Sequence, residues 1–133
     1  MKKVLFVCLG NICRSPLGEG IFAKLVKDKG LETNYFIDSA GTSAHHVGEI
    51  ADSRMIKTAS AYGFDLHSKS RQVIASDFDQ FDVIVAMDNS NLVNLEKLAD
   101  ANHKDKTKIV LMRNFDTYPE VFTYAQLFAP HRL

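Results

Sequence analysis

The chain has 133 residues, enough for one domain with a sizeable core. Sixteen basic residues balance sixteen acidic ones, so neither the basic excess that nucleic acid calls for nor a charged tail is present. The longest apolar runs are far too short to span a bilayer, and two cysteines make neither a secreted disulfide framework nor a structural zinc site.

Met1-Lys2-Lys3 ahead of residues 4–9 has the outline of a signal peptide. The apolar stretch is too short, however, and Asn11 and Arg14 interrupt it before any small-residue cleavage site. The expectation is a soluble, cytoplasmic protein with no nucleic-acid and no membrane partner.

The first predicted strand is residues 3–7, where Val4-Leu5-Phe6-Val7 is continuously apolar. Leu17, Ile21, Phe22, Leu25 and Val26 then recur at helical spacing, with Ser15 as expected N-cap, Pro16 at the first helical position and Gly30 as terminator. A short strand is expected at 35–38. A second helix at 50–62 carries Met55, Ile56, Ala59 and Tyr62 on one face and is closed by Gly63. Strands at 82–87 and 108–112 flank a third helix marked by Leu92, Leu95, Leu98 and Ala99 and capped by Asn89 or Ser90. A last short helix is expected from 119 to 128. Apolar runs without alternation suit strands covered on both faces, and strands alternating with helices imply a single doubly wound α/β domain, a parallel sheet with helices on both faces. Ligands of such sheets sit at the carboxyl ends of the strands, where Cys8 falls.

The stretch CLGNICRSP, residues 8–16, fills the turn between the first strand and the first helix. Such a turn aims backbone N–H groups at one spot made positive by the helix dipole. Gly10 is expected to allow the loop its backbone shape. Arg14 can curl over the same spot and match two phosphate oxygens at once. Cys8 then points its sulfur at the phosphorus, and the positive field favours thiolate over thiol. Ser15 can donate to the sulfur. A cysteine after a buried strand is ordinarily a core residue, and an arginine near a helix start ordinarily a solvated charge. The joint pattern Cys-x5-Arg-Ser between strand and capped helix is what singles out a phosphate-binding loop (P-loop) carrying a nucleophile.

VLFVCLGNICRSP resembles the active-site signature of the low-molecular-weight protein tyrosine phosphatases. DSAGTSAHHVGEIADSRM (38–55), HSKSRQV (67–73), FDVIVAMDNSN (81–91) and LMRNF (111–115) resemble further family segments in the family's order. The resemblance implies a four-stranded parallel sheet and phosphotyrosine monoester hydrolysis, without metal or cofactor, through a cysteinyl-phosphate intermediate. By that match Cys8 is the nucleophile and Arg14 the phosphate clamp. Asn11 holds the loop through a network that includes Ser39, Ser15 steadies the thiolate, and Leu9 and Ile12 line the pocket mouth. The substrate-binding set is Leu9, Gly10, Asn11, Ile12, Cys13 and Ser15. Partners would be a phosphotyrosine protein or small aryl phosphate, with inorganic phosphate as product. Cys13, five residues from Cys8, is placed by the resemblance as a redox partner that traps an oxidised Cys8 as a disulfide.

The family carries its general acid in an Asp-Pro-Tyr-type loop after the segment matching 111–115. This chain instead reads NFDTYPEVFTYAQLFAPHRL, and residues 121–133 hold no carboxylate side chain. The expectation is therefore one family domain over 1–133 with an altered or shortened end after about residue 115. Asp116, the first carboxylate after the fourth strand, is the candidate general acid, with Tyr118 as pocket wall and Glu120 as second choice. His45 and His46 lie in a polar loop that the resemblance places beside the pocket, and no partner ligands suggest a metal site. His67 reads as structural. Asp88, after the third strand, is a distant acid candidate, and the resemblance implies instead a buttress of the loop or a cap of the next helix. Two other activities follow from the same loop. One is an acid-deficient phosphotyrosine or anion binder. The other is an arsenate reductase of the related class, whose thiol relay needs cysteines beyond the loop; none follows Cys13.

Overall fold

The computed structural model describes residues 1–12 and 14–112. Four parallel strands form one sheet in the order β2-β1-β3-β4. They are β1 (Lys2–Cys8), β2 (Tyr35–Gly41), β3 (Val83–Ala86) and β4 (Ile109–Leu111). The helices are α1 (Arg14–Asp28), α2 (Ser53–Ala61), the single turn α3 (Asp77–Gln80) and α4 (Asn89–Ala101). The doubly wound expectation holds.

The continuous apolar run of β1 has the predicted cause. Successive side chains of a strand point to opposite faces. Val4, Phe6 and Cys8 join one core with Leu17 and Ile21 of α1 and with Met55 and Ile56 of α2. Leu5 and Val7 join the other with Phe78 of α3, Ile84 of β3, and Leu95 and Ala99 of α4. Both faces of the central strand are thus removed from water, and each large aliphatic side chain so buried contributes about 1.5–3 kcal/mol.

Helix ends follow local chemistry more closely than the apolar pattern suggests. Gly30 at φ 71 ends α1, with Leu31 N–H donating back to Val26 O at 2.9 Å, and Gly63 at φ 84 ends α2 in the same way through Phe64 N–H and Ala59 O; left-handed caps of this kind favour glycine. The starts differ from expectation. α1 begins at Arg14, so Ser15 lies inside the helix and is not its cap. α2 begins at Ser53 rather than residue 50, because Asp52 accepts from Arg54 N–H and caps it there. Ile50 instead bridges to Lys69 and is 58% exposed. α4 is capped by Asp88, whose Oδ1 accepts from Asn91 N–H at 2.8 Å, not by Asn89 or Ser90. β2 runs three residues past the expected strand, through Ser39-Ala40-Gly41. The helix expected at 119–128 lies outside the described residues.

β1 ends at Cys8 beside Gly41 of β2, and Val7 pairs with Ala86 of β3. The turn that leaves β1 therefore opens at the carboxyl edge of the sheet, between two neighbouring strands.

Candidate active site

A cleft of about 290 Å³ opens at this edge, lined by Cys8, Leu9, Gly10, Ile12 and Arg14 from the first loop and by Ser43, His45 and His46 from the segment after β2. Cys8 is 4% exposed. Its sulfur lies 3.0 Å from Ser15 Oγ and receives the Asn11 backbone N–H at 3.3 Å. Asn11 Nδ2 donates to that same Ser15 oxygen at 2.8 Å. The hydroxyl proton of Ser15 is then left for Cys8 Sγ or for Ala40 O, which is 3.4 Å away. The sulfur thus has one backbone donor in place and a serine hydroxyl within reach to give a second.

Among the loop's described residues the left-handed one is Asn11, at φ 57, and not Gly10. Asparagine is among the few side chains that tolerate this region. Here both ends of its amide are used, Nδ2 by Ser15 and Oδ1 by the N–H of Arg71 at 3.0 Å. At Gly10 a β-carbon would stand 2.9 Å from His46 Cδ2, the ring end of a part-exposed side chain that can swing aside. Gly41 is tighter still, with Leu9 O only 2.6 Å from where its β-carbon would be. Ser39 does not join the Asn11 network. Its hydroxyl donates to Glu19 Oε1 at 2.6 Å, and Ser68 Oγ donates to the same oxygen at 3.0 Å.

Arg14 reaches the cleft from the first turn of α1, and its Nη2 donates to Asp88 Oδ2 at 2.8 Å. Asp88 is thus both loop buttress and helix cap. Burial alone would raise its carboxyl, but the Asn91 N–H and then Arg14 outweigh it and hold the group below the ordinary range. A guanidinium has five N–H donors, so pairing with Asp88 leaves capacity for an oxyanion. His46 Nδ1 sits 3.0 Å from Glu49 Oε2, and the His45 N–H donates to Ser43 Oγ at 3.1 Å. The His67 side chain is 78% exposed, with Nδ1 3.4 Å from Asp65 Oδ2. Among the described residues no three metal-ligating side chains gather, and no helix is long and apolar enough to cross a membrane.

The structure therefore brings Cys8, Leu9, Gly10, Ile12 and Arg14 to one cleft, with Asn11 and Ser15 buried directly behind. Cys13 and Asp116, with Tyr118 and Glu120, lie outside the described residues. Ser43, Ser70 and Arg71 were not anticipated. Ser70 Oγ donates to Gly10 O at 2.9 Å and Arg71 N–H to Asn11; both sit in HSKSRQV, but no spacing within that segment announces a contact 60 residues away.

A strand-end thiol held by a backbone N–H and a serine hydroxyl, sharing a cleft with a tethered arginine, defines a cysteine-based oxyanion site on a parallel α/β sheet. The sequence comparisons carry this to a family. The family model described as low molecular weight phosphotyrosine protein phosphatase matches residues 3–121, and the chain belongs to that family. It is 44% identical over 115 residues to the low molecular weight phosphotyrosine protein phosphatase of Rattus norvegicus, covering 86% of this chain and 73% of the rat protein. A crystal structure of an Entamoeba histolytica protein tyrosine phosphatase with Hepes in the active site superposes with a TM-score of 0.82 at 45% identity, covering 86% of this chain and 72% of that one. A drosophila arginine phosphatase superposes with a TM-score of 0.82 at 38% identity, covering 90% and 76%.

Proposed function

We propose that this chain hydrolyses phosphotyrosine and related aryl phosphate monoesters in two steps, through a cysteinyl-phosphate on Cys8. The observation that carries the reading is the sulfur of Cys8, held between Asn11 N–H at 3.3 Å and Ser15 Oγ at 3.0 Å, in the cleft that Arg14 enters.

The loop N–H groups and Arg14 take the phosphoryl oxygens. The thiolate attacks phosphorus, an S–P bond forms, and the P–O bond to the phenol breaks. A carboxylic acid gives its proton to the departing phenolate. Its conjugate base then takes a proton from water, which attacks phosphorus, breaks the S–P bond and releases inorganic phosphate with the thiolate restored. Charge spreading over the equatorial oxygens is met by donors already in place, so the step needs little reorganisation. Asp116 is assigned the acid's role from the sequence alone. The reaction so written calls on no metal or cofactor, and the thiolate suits the reducing cytoplasm.

Leu9 and Ile12 give the mouth an apolar lining and His45 and His46 a flat one. No carboxylate is among those described lining residues to pair the cationic guanidinium that an arginine phosphatase must admit, whereas Leu9 and Ile12 can pack on an aromatic ring. The test is steady-state turnover of a phosphotyrosine peptide, p-nitrophenyl phosphate and phosphoarginine by wild type and Asp116→Asn. The reading predicts aryl phosphates far ahead of phosphoarginine. It also predicts a loss of about 10²–10⁴-fold in Asp116→Asn on phosphotyrosine, with little loss on p-nitrophenyl phosphate, whose phenolate leaves without help. Equal small losses on both would move the acid's role to Glu120, tested by Glu120→Gln. Wild-type turnover of p-nitrophenyl phosphate alone would indicate the acid-deficient binder, and preference for phosphoarginine would overturn the substrate class.

A further inference from the structure

Among the described residues, Arg71 touches the phosphate loop only through its backbone, yet its side chain is the most heavily tied cation. Nη1 and Nη2 donate to the two oxygens of Asp77 at 3.0 and 3.1 Å, a two-pronged fork. Nε donates to Asp38 Oδ2 at 3.1 Å. Asp77 is 5% exposed and also accepts the N–H of Ile74 at 2.8 Å. Burial works against the charge on Arg71, and Asp77 and then Asp38 more than offset it, leaving the guanidinium pKa above its ordinary value.

This fork fixes a short extended segment in place. Gln72 bridges to Gly41 in parallel, Gly41 N–H donates to Arg71 O at 2.8 Å, and Val73 N–H donates to Gly41 O at 2.7 Å. The segment then grips the loop twice, through Ser70 Oγ on Gly10 O and through Arg71 N–H on Asn11 Oδ1. The second grip bears on the loop's only described left-handed residue, the one whose N–H points at Cys8 Sγ. No other described group donates to that amide oxygen.

We infer that Arg71 is a positioning residue for the phosphate loop: its guanidinium, forked on Asp77 and braced by Asp38, sets the backbone N–H that holds Asn11 in its left-handed turn under Cys8. The inference rests on the proposed function for its readout of turnover. Lysine keeps the charge but cannot fork, so in Arg71→Lys the segment shifts and the loop relaxes with it. Misplacing a catalytic constellation by about 1 Å costs on the order of 10²-fold in rate.

The experiment compares wild type, Arg71→Lys and the milder Asp38→Asn, each well below its own thermal midpoint. It reads kcat and KM on p-nitrophenyl phosphate, inhibition by inorganic phosphate, and the rate at which iodoacetate, an anionic alkylating agent, modifies Cys8, located by peptide mass spectrometry. The inference predicts that kcat and the Cys8 alkylation rate fall together by at least about tenfold in Arg71→Lys, with weaker phosphate inhibition. A smaller fall of the same kind is expected in Asp38→Asn, which keeps the fork and so keeps the fold if Arg71→Lys does not. Lower thermal midpoints with unchanged kcat and alkylation would overturn it, showing a merely structural ion pair. If wild-type Cys8 is alkylated and protected by phosphate but no aryl phosphate is turned over, the proposed function fails while the alkylation arm still decides the role of Arg71.

Discussion

Ser15 Oγ stands 3.0 Å from Cys8 Sγ and takes a hydrogen bond from Asn11 Nδ2 at 2.8 Å. The asparagine occupies the serine oxygen as a donor, which leaves the serine's own proton for the sulfur or for Ala40 O. A hydrogen bond to a charged group contributes about 1.5–3 kcal/mol, so Ser15→Ala should lower kcat by about ten- to a hundredfold. Substrate affinity should change less, because phosphate meets the loop and Arg14 rather than Ser15. Stopped-flow kinetics on p-nitrophenyl phosphate would check this; an unchanged kcat would mean that Ser15 donates to Ala40 O throughout.

Gly41 is a second point of leverage. Its missing side chain lets the end of β2 approach Leu9 O and the Asn11 N–H, to 2.6 and 3.1 Å of where a β-carbon would lie. Those are backbone atoms and cannot swing aside. Gly41→Ala should therefore push the loop outward and cost on the order of 10²-fold in kcat/KM, with a parallel loss of phosphate inhibition. Unchanged kinetics in a folded variant would show that the strand end gives way instead.

The Arg14–Asp88 pair separates two roles of one carboxylate. Asparagine is as good a helix cap as aspartate, whereas alanine costs about 1 kcal/mol. Asp88→Asn should keep the stability of α4 but free Arg14, raising KM more than it lowers kcat; Asp88→Ala should add the loss of stability. Because the folded-state carboxyl is held below its ordinary range, its contribution is present above the ordinary carboxylate pKa and lost as pH falls through the depressed value. Denaturant midpoints between neutral and acid pH should show that fall in wild type and not in Asp88→Asn.

Glu19 behaves in the opposite sense. Burial raises its carboxyl, against the hydrogen bonds from Ser39 and Ser68 that lower it. The folded chain therefore holds this proton more tightly than the unfolded one. Its stabilising contribution is present below the ordinary value of 4.5 and lost as pH rises through the raised folded value. In Glu19→Gln an amide oxygen can still accept from both serines without a charge to bury. The stability of wild type relative to this variant should fall as pH rises from about 4 toward neutrality, measured by urea unfolding at each pH. A gap that is constant, or that widens in favour of wild type, would contradict the assignment.

How much of this could be read beforehand depends on range along the chain. The four-residue apolar run of β1 announced a strand covered on both faces, and Val4 and Phe6 do face one core while Leu5 and Val7 face the other. Gly30 and Gly63 marked the helix ends because a left-handed cap is a local need. The spacing of Cys8, Arg14 and Ser15 was legible because one loop carries all three. The end of β2 was not, since Ser39-Ala40-Gly41 has no strand-like pattern and its pairing is set by how closely Gly41 meets the loop. The start of α2 followed the cap at Asp52 rather than the apolar Ile50. Arg71 was out of reach for the same reason as Gly41. Its meaning lies in partners at Asp38, Asp77 and Asn11, which only the folded chain assembles.

The central claim is that Cys8 carries the phosphoryl group between the two steps. Mixing the protein with p-nitrophenyl phosphate, quenching in acid within the first turnovers and fragmenting the tryptic peptide 4–14 would locate that group directly. The account predicts one phosphoryl group on the sulfur of Cys8, none on Cys13, and none at all in Cys8→Ser, which should still bind inorganic phosphate. Turnover retained in Cys8→Ser, or a phosphoryl group on any other residue, would contradict it.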